Sequence, residues 1–378
     1  MARLDELLRQ MKLEGASDLH LTSGSAPYMR INGEMVKLKY RTISAETCEG
    51  LIFEILNNKQ RELFKENWDL DLSYPLSGVG RFRVNVFMQR NGVSGVLRLI
   101  PEEIKTIREL DLPEQLSSLI DVSEGLVLVT GPTGSGKSTT LASLIHTINK
   151  ENQAHIITVE DPIEFVHENQ RCLISQREIA SHTKSFSNAL RAALREDPDI
   201  ILVGEMRDRA TVEVALMAAE TGHLVLSTLH TVDAGQSINR ILGLFSLGEE
   251  KQLRIRLADS LRYVISQRLA PKVGGGRQLL SEIMGYNLRT RETVALGEGE
   301  HRNFYEIIEA SAPFGWMTFD QSILNAYENN LISEETAKLY ASRKGRVSRG
   351  IDIIQKTRGL ETDLDSGLRL DLPENAFH

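Results

Sequence analysis

The sequence predicts an α/β protein in which a domain built on a parallel sheet follows a smaller α+β domain. Short apolar segments at 126–130, 156–160, 200–203 and 224–228 alternate with helical patterns. Such alternation is typical of right-handed crossovers and of a parallel sheet covered on both faces. The first hundred residues instead contain a strictly alternating segment at 81–87 and an Asn-Gly turn signal, which favour an antiparallel sheet.

Composition narrows the class of protein. The chain has 378 residues, of which 41% are hydrophobic and 25% are charged, as in an ordinary globular protein of two or three domains. The formal net charge of −8 argues against a duplex-DNA binder. Cys48 and Cys172 are too far apart in sequence to suggest a disulfide framework or a four-cysteine zinc site. No apolar run approaches the roughly 20 residues that span a bilayer, so we expect a cytoplasmic protein without a transmembrane segment.

The N-terminal elements follow from local patterns. Apolar residues at helical spacing predict a first helix over 4–11, and strands are predicted at 18–21, 81–87 and 96–100. Asn32-Gly33 favours a hairpin over 28–38, and Ser44 is a suitable N-cap for the next helix. The predicted domains are an N-terminal domain at 1–100, a hinge connector at 101–121, the parallel-sheet domain with a helical C-terminal part at 122–350, and an acidic, flexible tail at 351–378.

The strongest motif lies between the first apolar strand and a helical pattern. Residues 131–138 match G-x-x-x-x-G-K-[ST], in which glycines let backbone N–H groups approach phosphates at a helix N-terminus. Lys137 is predicted to contact the β and γ phosphates, and Ser138 to hold Mg²⁺. The residues predicted to bind the nucleotide in this loop are Thr133, Gly134, Ser135, Gly136, Lys137, Ser138 and Thr139.

Acidic residues follow two of the later strands. Glu160, Asp161 and Glu164 come at the end of the second strand, where open α/β sheets place their ligands. One of them could polarise an attacking water, although a solvated acidic loop is an equal alternative. Glu205 ends the third strand and is predicted to stand beside Mg²⁺. The residues alone leave open whether Glu160, Glu164 or Glu205 is the general base.

Basic residues supply further candidates. Arg207 follows Glu205 in a loop that is either an exposed charged loop or a switch sensitive to phosphate. His230 comes just after the fourth strand, where a γ-phosphate sensor would belong, although a structural histidine is an equal alternative. His223 precedes that strand and is a weaker candidate. Arginines suit phosphate at a domain boundary because they offer planar bidentate donors, although a solvated strand face is the simpler alternative. The arginines concerned are Arg81, Arg83 and Arg98.

Four segments occur in order and at close spacing: GPTGSGKSTT, ITVEDPIEFVHE, ALREDPDIILVGEMRD and AAETGHLVLSTLHT. They resemble the Walker A, Asp box, Walker B and His box of the secretion-type hexameric ATPases. With SDLHL and GRFRVNVFMQRN, the sequence resembles the PilT/PilU retraction ATPases of type IV pili from residue 1 to about 345. The resemblance implies a RecA-like ATPase domain preceded by a PAS-like domain.

The resemblance also implies roles. It implies ATP and Mg²⁺ as cofactors, a homohexameric ring, and pilus retraction for twitching motility at the inner face of the cytoplasmic membrane. The inner-membrane platform protein and the pilus machinery would be partners. Hydrolysis would open and close the interface between the two domains. The matching site residues are Lys137 and Ser138 for ATP·Mg²⁺, Glu164 for water activation, Glu205 for Walker B, His223 and His230 for the His box, and Arg81, Arg83 and Arg98 as N-terminal arginines.

Further features bear on the branch of the family. Pilus-extension ATPases usually carry a four-cysteine zinc insert, which two distant cysteines cannot supply, so retraction is favoured. However, residues 289–299 lack the AIRNLI-type helix of retraction ATPases, and the tail resembles that of PilU. An accessory or regulatory ring that assists a paralogous retraction ATPase is therefore the alternative. A RecA-like nucleic-acid motor is less favoured, because the net charge is negative and no basic run is interleaved with aromatic residues.

Overall fold

The computed structural model describes residues 3–31, 33–100, 103–300 and 302–359. Within the first hundred of these, six strands form an antiparallel sheet in the order β3-β2-β1-β6-β5-β4. The strands are β1 (Asp18–Thr22), β2 (Tyr28–Ile31), β3 (Glu34–Lys37), β4 (Asp69–Leu76), β5 (Gly80–Gln89) and β6 (Gly92–Ile100). The helices are α1 (Arg3–Leu13), α2 (Ala45–Phe53) and α3 (Asn58–Asn67). This arrangement fits the PAS-like domain that the resemblance implies.

The predicted elements of this domain are confirmed. Phe82 on β5 is buried in the core, whereas Arg81 and Arg83 point to the other face of the sheet. The Ser44 hydroxyl caps α2 by accepting the Thr47 N–H at 3.2 Å. The hairpin joins β2 and β3, with Asn32 of its turn outside the described residues. The prediction missed α3 and β4. Helix α3 is strongly charged and buries little apolar surface, so its apolar pattern is weak.

The second sheet contains the four predicted parallel strands and three further strands. Its order over the described residues is β13-β12-β7-β11-β10-β8-β9, parallel from β12 to β9, with β13 antiparallel at the edge. The strands are β7 (Gly125–Thr130), β8 (His155–Glu160), β9 (Leu173–Glu178), β10 (Ile200–Val203), β11 (Leu224–Leu229), β12 (Leu261–Pro271) and β13 (Arg277–Met284). The helices after them are α4 (Lys137–Glu151), α5 (Phe186–Ala193), α6 (Arg209–Glu220), α7 (Ala234–Leu242) and α8 (Glu250–Ser260).

Strand β7 shows why these strands have continuous apolar sequences. Leu126 and Leu128 pack into the core on one side of the sheet, and Val127 and Val129 pack into the core on the other. Both faces are therefore buried, as the absence of polar alternation predicted.

One expectation for this domain was wrong, and one strand was missed. The C-terminal part that was expected to be helical also contains β12 and β13, which form a hairpin whose turn includes the three glycines at 274–276. Strand β9 was not predicted, because its sequence LISQRE is polar and it lies at the edge of the sheet. These three strands extend a sheet whose central strands determine where they pair, and a local sequence pattern does not contain that information.

The C-terminal helices are α9 (Leu288–Leu296), α10 (Phe304–Ala310), α11 (Phe319–Glu328), α12 (Glu334–Tyr340) and α13 (Lys344–Thr357). The first two pack into the same core as α6 and α8. The last three form a further core with β12 and β13. The predicted tail boundary at 351 was too early, because Ile351 is buried against this core and α13 continues to Thr357. The acidic stretch from 360 lies outside the described residues. Within the described ranges, no helix is both long and apolar enough to cross a membrane.

The predicted connector at 101–121 is partly packed. A 3-10 helix spans Glu114–Asp121, and its Leu116 and Leu119 are buried together with Ile107 in the core beneath α4. The Asn152 side chain donates to the Ile120 carbonyl at 3.0 Å and attaches this segment to the end of α4. The second half of the connector thus packs on the parallel-sheet domain, and the domain boundaries themselves stay a prediction.

Truncating Leu119 to alanine tests this packing. We expect the free energy of unfolding to fall by about 2–5 kcal/mol, because Leu119 is only 1% exposed and its truncation would leave a cavity. Leu247→Ala is the matched control, since Leu247 is 90% exposed, and it should change stability by less than about 0.5 kcal/mol. Urea unfolding followed by circular dichroism gives both values, and equal values would contradict the packing.

A buried acid beside the N-terminus of α7 predicts a pH dependence. Glu282 accepts the Ala234 N–H at 3.0 Å, and burial raises the pKa of its carboxyl to about 7 while Arg268 opposes the rise. The folded state therefore holds a proton that the unfolded state releases near pH 4.5. The stabilisation from this proton is present below that pH and lost as the pH rises through 7.

Glu282→Gln should remove that pH dependence, because the amide cannot titrate and still accepts the Ala234 N–H. Between pH 5 and 8 we expect the wild-type melting temperature to fall more than that of the variant. Thermal unfolding across this range measures the difference. Parallel curves for the two proteins would show that Glu282 is charged at both extremes.

Candidate functional site

The candidate site lies along one edge of the parallel sheet. Neighbouring strands β7, β11, β10, β8 and β9 are parallel, so their carboxyl ends meet at the same edge, where open α/β sheets bind ligands. In sheet order, the groups found there are the glycine-rich loop after β7, His230 after β11, Glu205 after β10, Glu160 and Glu164 at and after the end of β8, and Glu178 at the end of β9.

The glycine-rich loop has a backbone that only glycine accommodates. Gly131 has φ of 144°, and a Cβ there would lie 2.4 Å from the Gln267 carbonyl oxygen. Gly134 and Gly136 adopt the left-handed region with φ of 80° and 93°. Gly136, the N-cap residue of α4, has no side chain that could cap the helix, so the first N–H groups and the helix dipole are available to an anion.

Lys137 is buried at the start of this helix. Its Nζ donates to the carbonyls of Gly131 and Pro132 at 2.8 and 3.1 Å, which holds it over the loop. Burial lowers the pKa of the Lys137 ammonium, and the carboxylates of Glu205 and Glu164 oppose that effect. One cation therefore sits within the electrostatic reach of two candidate catalytic acids.

A buried hydroxyl near the loop fits a phosphate site. Ser135 Oγ has no hydrogen-bond partner within the described ranges, and a hydroxyl can donate to a phosphate oxygen. Close to it, the Gln267 amide nitrogen donates to Thr140 Oγ1 at 2.8 Å. Gln267 was not predicted from sequence, because its strand β12 was not recognised. Predicted loop residues open to solvent are Thr133, Gly134, Ser138 and Thr139.

Glu205 is held by two of the predicted catalytic residues. Its Oε2 lies 2.8 Å from Arg207 Nε and 3.3 Å from His230 Nε2. The side chain of Thr228 donates to the Gly204 carbonyl at 2.6 Å, which ties the ends of β11 and β10 together. The structure thus groups Glu205, Arg207 and His230 beside the loop, as the strand ends predicted.

The acids after β8 differ in their surroundings. Glu160 accepts the Thr158 hydroxyl at 2.7 Å and the Gln176 amide at 3.1 Å. Burial raises the pKa of Glu160, and these hydrogen bonds oppose the rise. Glu164 is 38% exposed, and its Oε1 lies 3.8 Å from Arg83 Nη1 of the N-terminal domain. Glu164 is therefore the freer of the two carboxyl groups.

The three N-terminal arginines have different partners. Arg81 Nη2 lies 3.8 Å from Glu178 Oε2, so Arg81 and Arg83 both reach across to the parallel-sheet domain. Arg98 instead pairs with Asp18 at 2.7 Å within the N-terminal sheet, and the structure does not bring it to the site. Glu178 was missed from sequence, although the rule that acids collect at strand ends would have found it once β9 was recognised.

His223 is also distant from the loop in this chain. It precedes β11 at the amino end of the strand, where its Nδ1 lies 3.0 Å from the Ala218 carbonyl oxygen. The Leu224↔Gly125 pairing shows that His223 is a full strand length, roughly 20 Å, from the loop that follows β7. Within one chain, His223 therefore does not contribute to this site.

Comparison with known proteins identifies the family. The family described as "Type II/IV secretion system protein" matches residues 2–275, which include the whole strand-edge site. The chain belongs to this family.

Relatives in this secretion-system family include named pilus ATPases. The type IV pilus retraction ATPase PilT of Pseudomonas aeruginosa is 45% identical over 335 residues, covering 89% of this chain and 97% of PilT. The type IV pilus ATPase PilU of the same organism is 36% identical and covers 98% of this chain and 97% of PilU. A crystal structure of the pilus retraction motor PilT with bound ADP is similar, with TM-score 0.84 and 43% identity over 92% of this chain and 99% of that one.

Removing the buried ammonium tests the phosphate site directly. Lys137→Ala should weaken binding of a fluorescent ATP analogue by about 10- to 100-fold, because charge-assisted hydrogen bonds to phosphate are lost. Lys150→Ala, an exposed lysine in the last turn of the same helix, should bind as the wild type does. Equal affinities for all three proteins would show that the ligand binds elsewhere.

Proposed function

We propose that this protein is an ATP-hydrolysing homohexameric motor that powers type IV pilus retraction. The observation that carries the proposal is a site assembled along one sheet edge, with a phosphate loop, a buried lysine and held carboxylates. It lies in a chain that shares 45% identity with PilT over nearly the whole of PilT. The retraction ATPase named in that relative is the function that this site chemistry fits best.

In this proposal the glycine-rich loop and Lys137 hold the triphosphate. The N-terminus of α4, whose N-cap is Gly136, and the buried Ser135 hydroxyl fit a nucleotide. No group of three or more His, Cys, Asp or Glu in the described ranges could hold a metal by itself. Mg²⁺ would accordingly rest on the nucleotide, with the Ser138 hydroxyl and the Glu205 carboxylate as its protein ligands, partly through water. Its chemistry would be to neutralise developing charge on the phosphates.

Glu164 is the general base that we propose. Glu160 is hydrogen-bonded internally and its neutral form is favoured by burial, whereas Glu205 is held by Arg207 and His230. Glu164 is partly exposed, lies close enough to Lys137 to affect it, and is paired only loosely with Arg83. A carboxylate in that position is suited to accepting a proton from water. Arg207 and His230 would report the state of the γ-phosphate to Glu205.

Domain closure would complete the site. Arg83 approaches Glu164 after the end of β8, and Arg81 approaches Glu178 at the end of β9. A shift of the N-terminal sheet would therefore change the charge around the phosphates. Because Ile107 is packed with the core below α4, we propose that the hinge lies before Ile107. In a hexamer this motion would carry work to the pilus machinery and its inner-membrane platform protein, from the cytoplasmic face.

An accessory role beside a paralogous retraction ATPase is the second candidate. Alignment with PilU covers 98% of this chain, whereas alignment with PilT covers 89%. In addition, α9 carries the sequence LRTRETVAL where an AIRNLI-type motif was expected. These two observations favour the second candidate, in which this protein forms a PilU-like ring that assists another retraction ATPase.

Two isosteric variants separate the proposed roles of the acids. Glu164→Gln should retain ATP binding and lower ATP turnover by about 10²–10⁴-fold, because the proton acceptor is lost. Glu205→Gln should also lower turnover, and it should reduce the enhancement of ATP binding by Mg²⁺. Initial rates and nucleotide titrations with and without Mg²⁺ give both readouts. Unchanged turnover in Glu164→Gln would assign the base to another residue.

Retraction itself is tested in a strain whose own retraction ATPases are deleted. Expression of this chain should restore twitching motility, and expression of Lys137→Ala should not. Restoration only when a paralogous retraction ATPase is also supplied would favour the accessory role. Failure under both conditions, with normal ATP turnover of the purified protein, would exclude a function in pilus retraction.

A further inference from the structure

Glu178 is a buried acid whose carboxylate has contacts on three sides. It ends β9 and is only 6% exposed. Its Oε2 accepts the Ile163 backbone N–H at 3.1 Å, and its Oε1 accepts the Ser181 hydroxyl at 3.0 Å. A carboxylate removed from water requires such donors, because burial without them is costly.

The Ile163 hydrogen bond fixes the main chain beside the proposed base. Ile163 immediately precedes Glu164, and its own side chain is buried. The position of the Glu164 backbone therefore depends on the position of the Glu178 carboxylate. Small displacements of a catalytic group carry large rate penalties, since alignment with the reacting atoms is lost.

The same Oε2 atom is the one nearest the N-terminal domain. Arg81 Nη2 lies 3.8 Å from it, and the Arg81 guanidinium also donates to the Ser73 side chain of β4. The Arg81 and Glu178 side chains are 25% and 7% exposed, whereas those of Arg83 and Glu164 are each 38% exposed. Arg81–Glu178 is thus the more desolvated of these two cross-domain ion pairs, and the less screened by water and salt.

We infer that Glu178 is a positioning residue that couples the approach of the N-terminal domain to the placement of Glu164. Arg81 attracts the Glu178 carboxylate, and that carboxylate accepts the Ile163 N–H. A movement of the N-terminal domain is therefore transmitted to the loop that carries Glu164. This inference rests on the proposed function, since it assigns Glu178 a part in the same ATPase reaction. A purely local role for Glu178 would stabilise the loop regardless of Arg81.

The test is a double-mutant cycle in the full-length protein. Glu178→Gln keeps the shape of the side chain and one oxygen acceptor, which can still receive the Ile163 N–H. Its NH₂ group replaces the second oxygen and can donate to the Ser181 hydroxyl, and the charge that attracts Arg81 is removed. It should lower kcat for ATP by about tenfold and leave KM within about twofold, because positioning acts on the chemical step. In an Arg81→Gln background, the same change should lower kcat by less than about twofold, because the coupling is already broken.

A matched control comes from the same strand. Arg177 of β9 pairs with Glu196 at 2.7 Å, with both side chains 30% exposed, so this ion pair lies within the parallel-sheet domain. Glu196→Gln should keep the wild-type kcat. Two results would overturn the inference and leave the ATPase function intact. One is a wild-type kcat in Glu178→Gln. The other is a double variant whose loss of kcat equals the product of the losses in the two single variants. An inactive wild-type protein would overturn both.

Hydrogen–deuterium exchange provides a readout independent of turnover. Arg81→Gln leaves Glu178 and Ser181 in place, so a local role for Glu178 predicts no change in exchange of a peptide spanning 161–166. The coupling predicts faster exchange there in Arg81→Gln, about threefold or more at the Ile163 amide, since its acceptor is no longer held from both sides. Unchanged exchange in that peptide contradicts the coupling even if Glu178→Gln fails to fold.

Discussion

The common direction of five neighbouring strands is the constraint on which the site depends. Because β7, β11, β10, β8 and β9 run parallel, residues that are far apart in sequence meet at one edge. The phosphate loop, a histidine and several acids gather there without any long loop to carry them. Burial of alternate side chains of β7 in cores on both sides makes this edge rigid.

The acids along that edge have different partners, and this difference in electrostatic surroundings distinguishes them. Glu205 has Arg207 and His230 as partners, Glu160 has neutral hydrogen-bond donors, and Glu164 has an arginine from the other domain. One carboxylate is thereby held, one is kept internal, and one lies against the other domain. With Glu164 as the proposed base, this contact would give the chemistry the dependence on conformation that a motor requires.

Local sequence signals were sufficient for most central elements. The glycine motif, the four apolar strands, the β5 alternation and the Ser44 cap each depend on a few neighbouring residues, and the structure confirms them. The misses were β4, β9, β12 and β13, together with α3. Polar edge strands and charged helices give weak apolar patterns, and their pairing is decided by partners distant in sequence.

The amino-acid sequence by itself determined the phosphate loop and the acids that follow β8 and β10, because strand, turn and helix signals are contiguous there. Only the tertiary structure decided which of the N-terminal arginines lie with the acids at this edge, and whether His223 does. It brought Arg81 to Glu178 and Arg83 to Glu164, left Arg98 on Asp18, and placed His223 at the far end of β11. These outcomes depend on sheet order and domain packing, which a pattern within one segment does not encode.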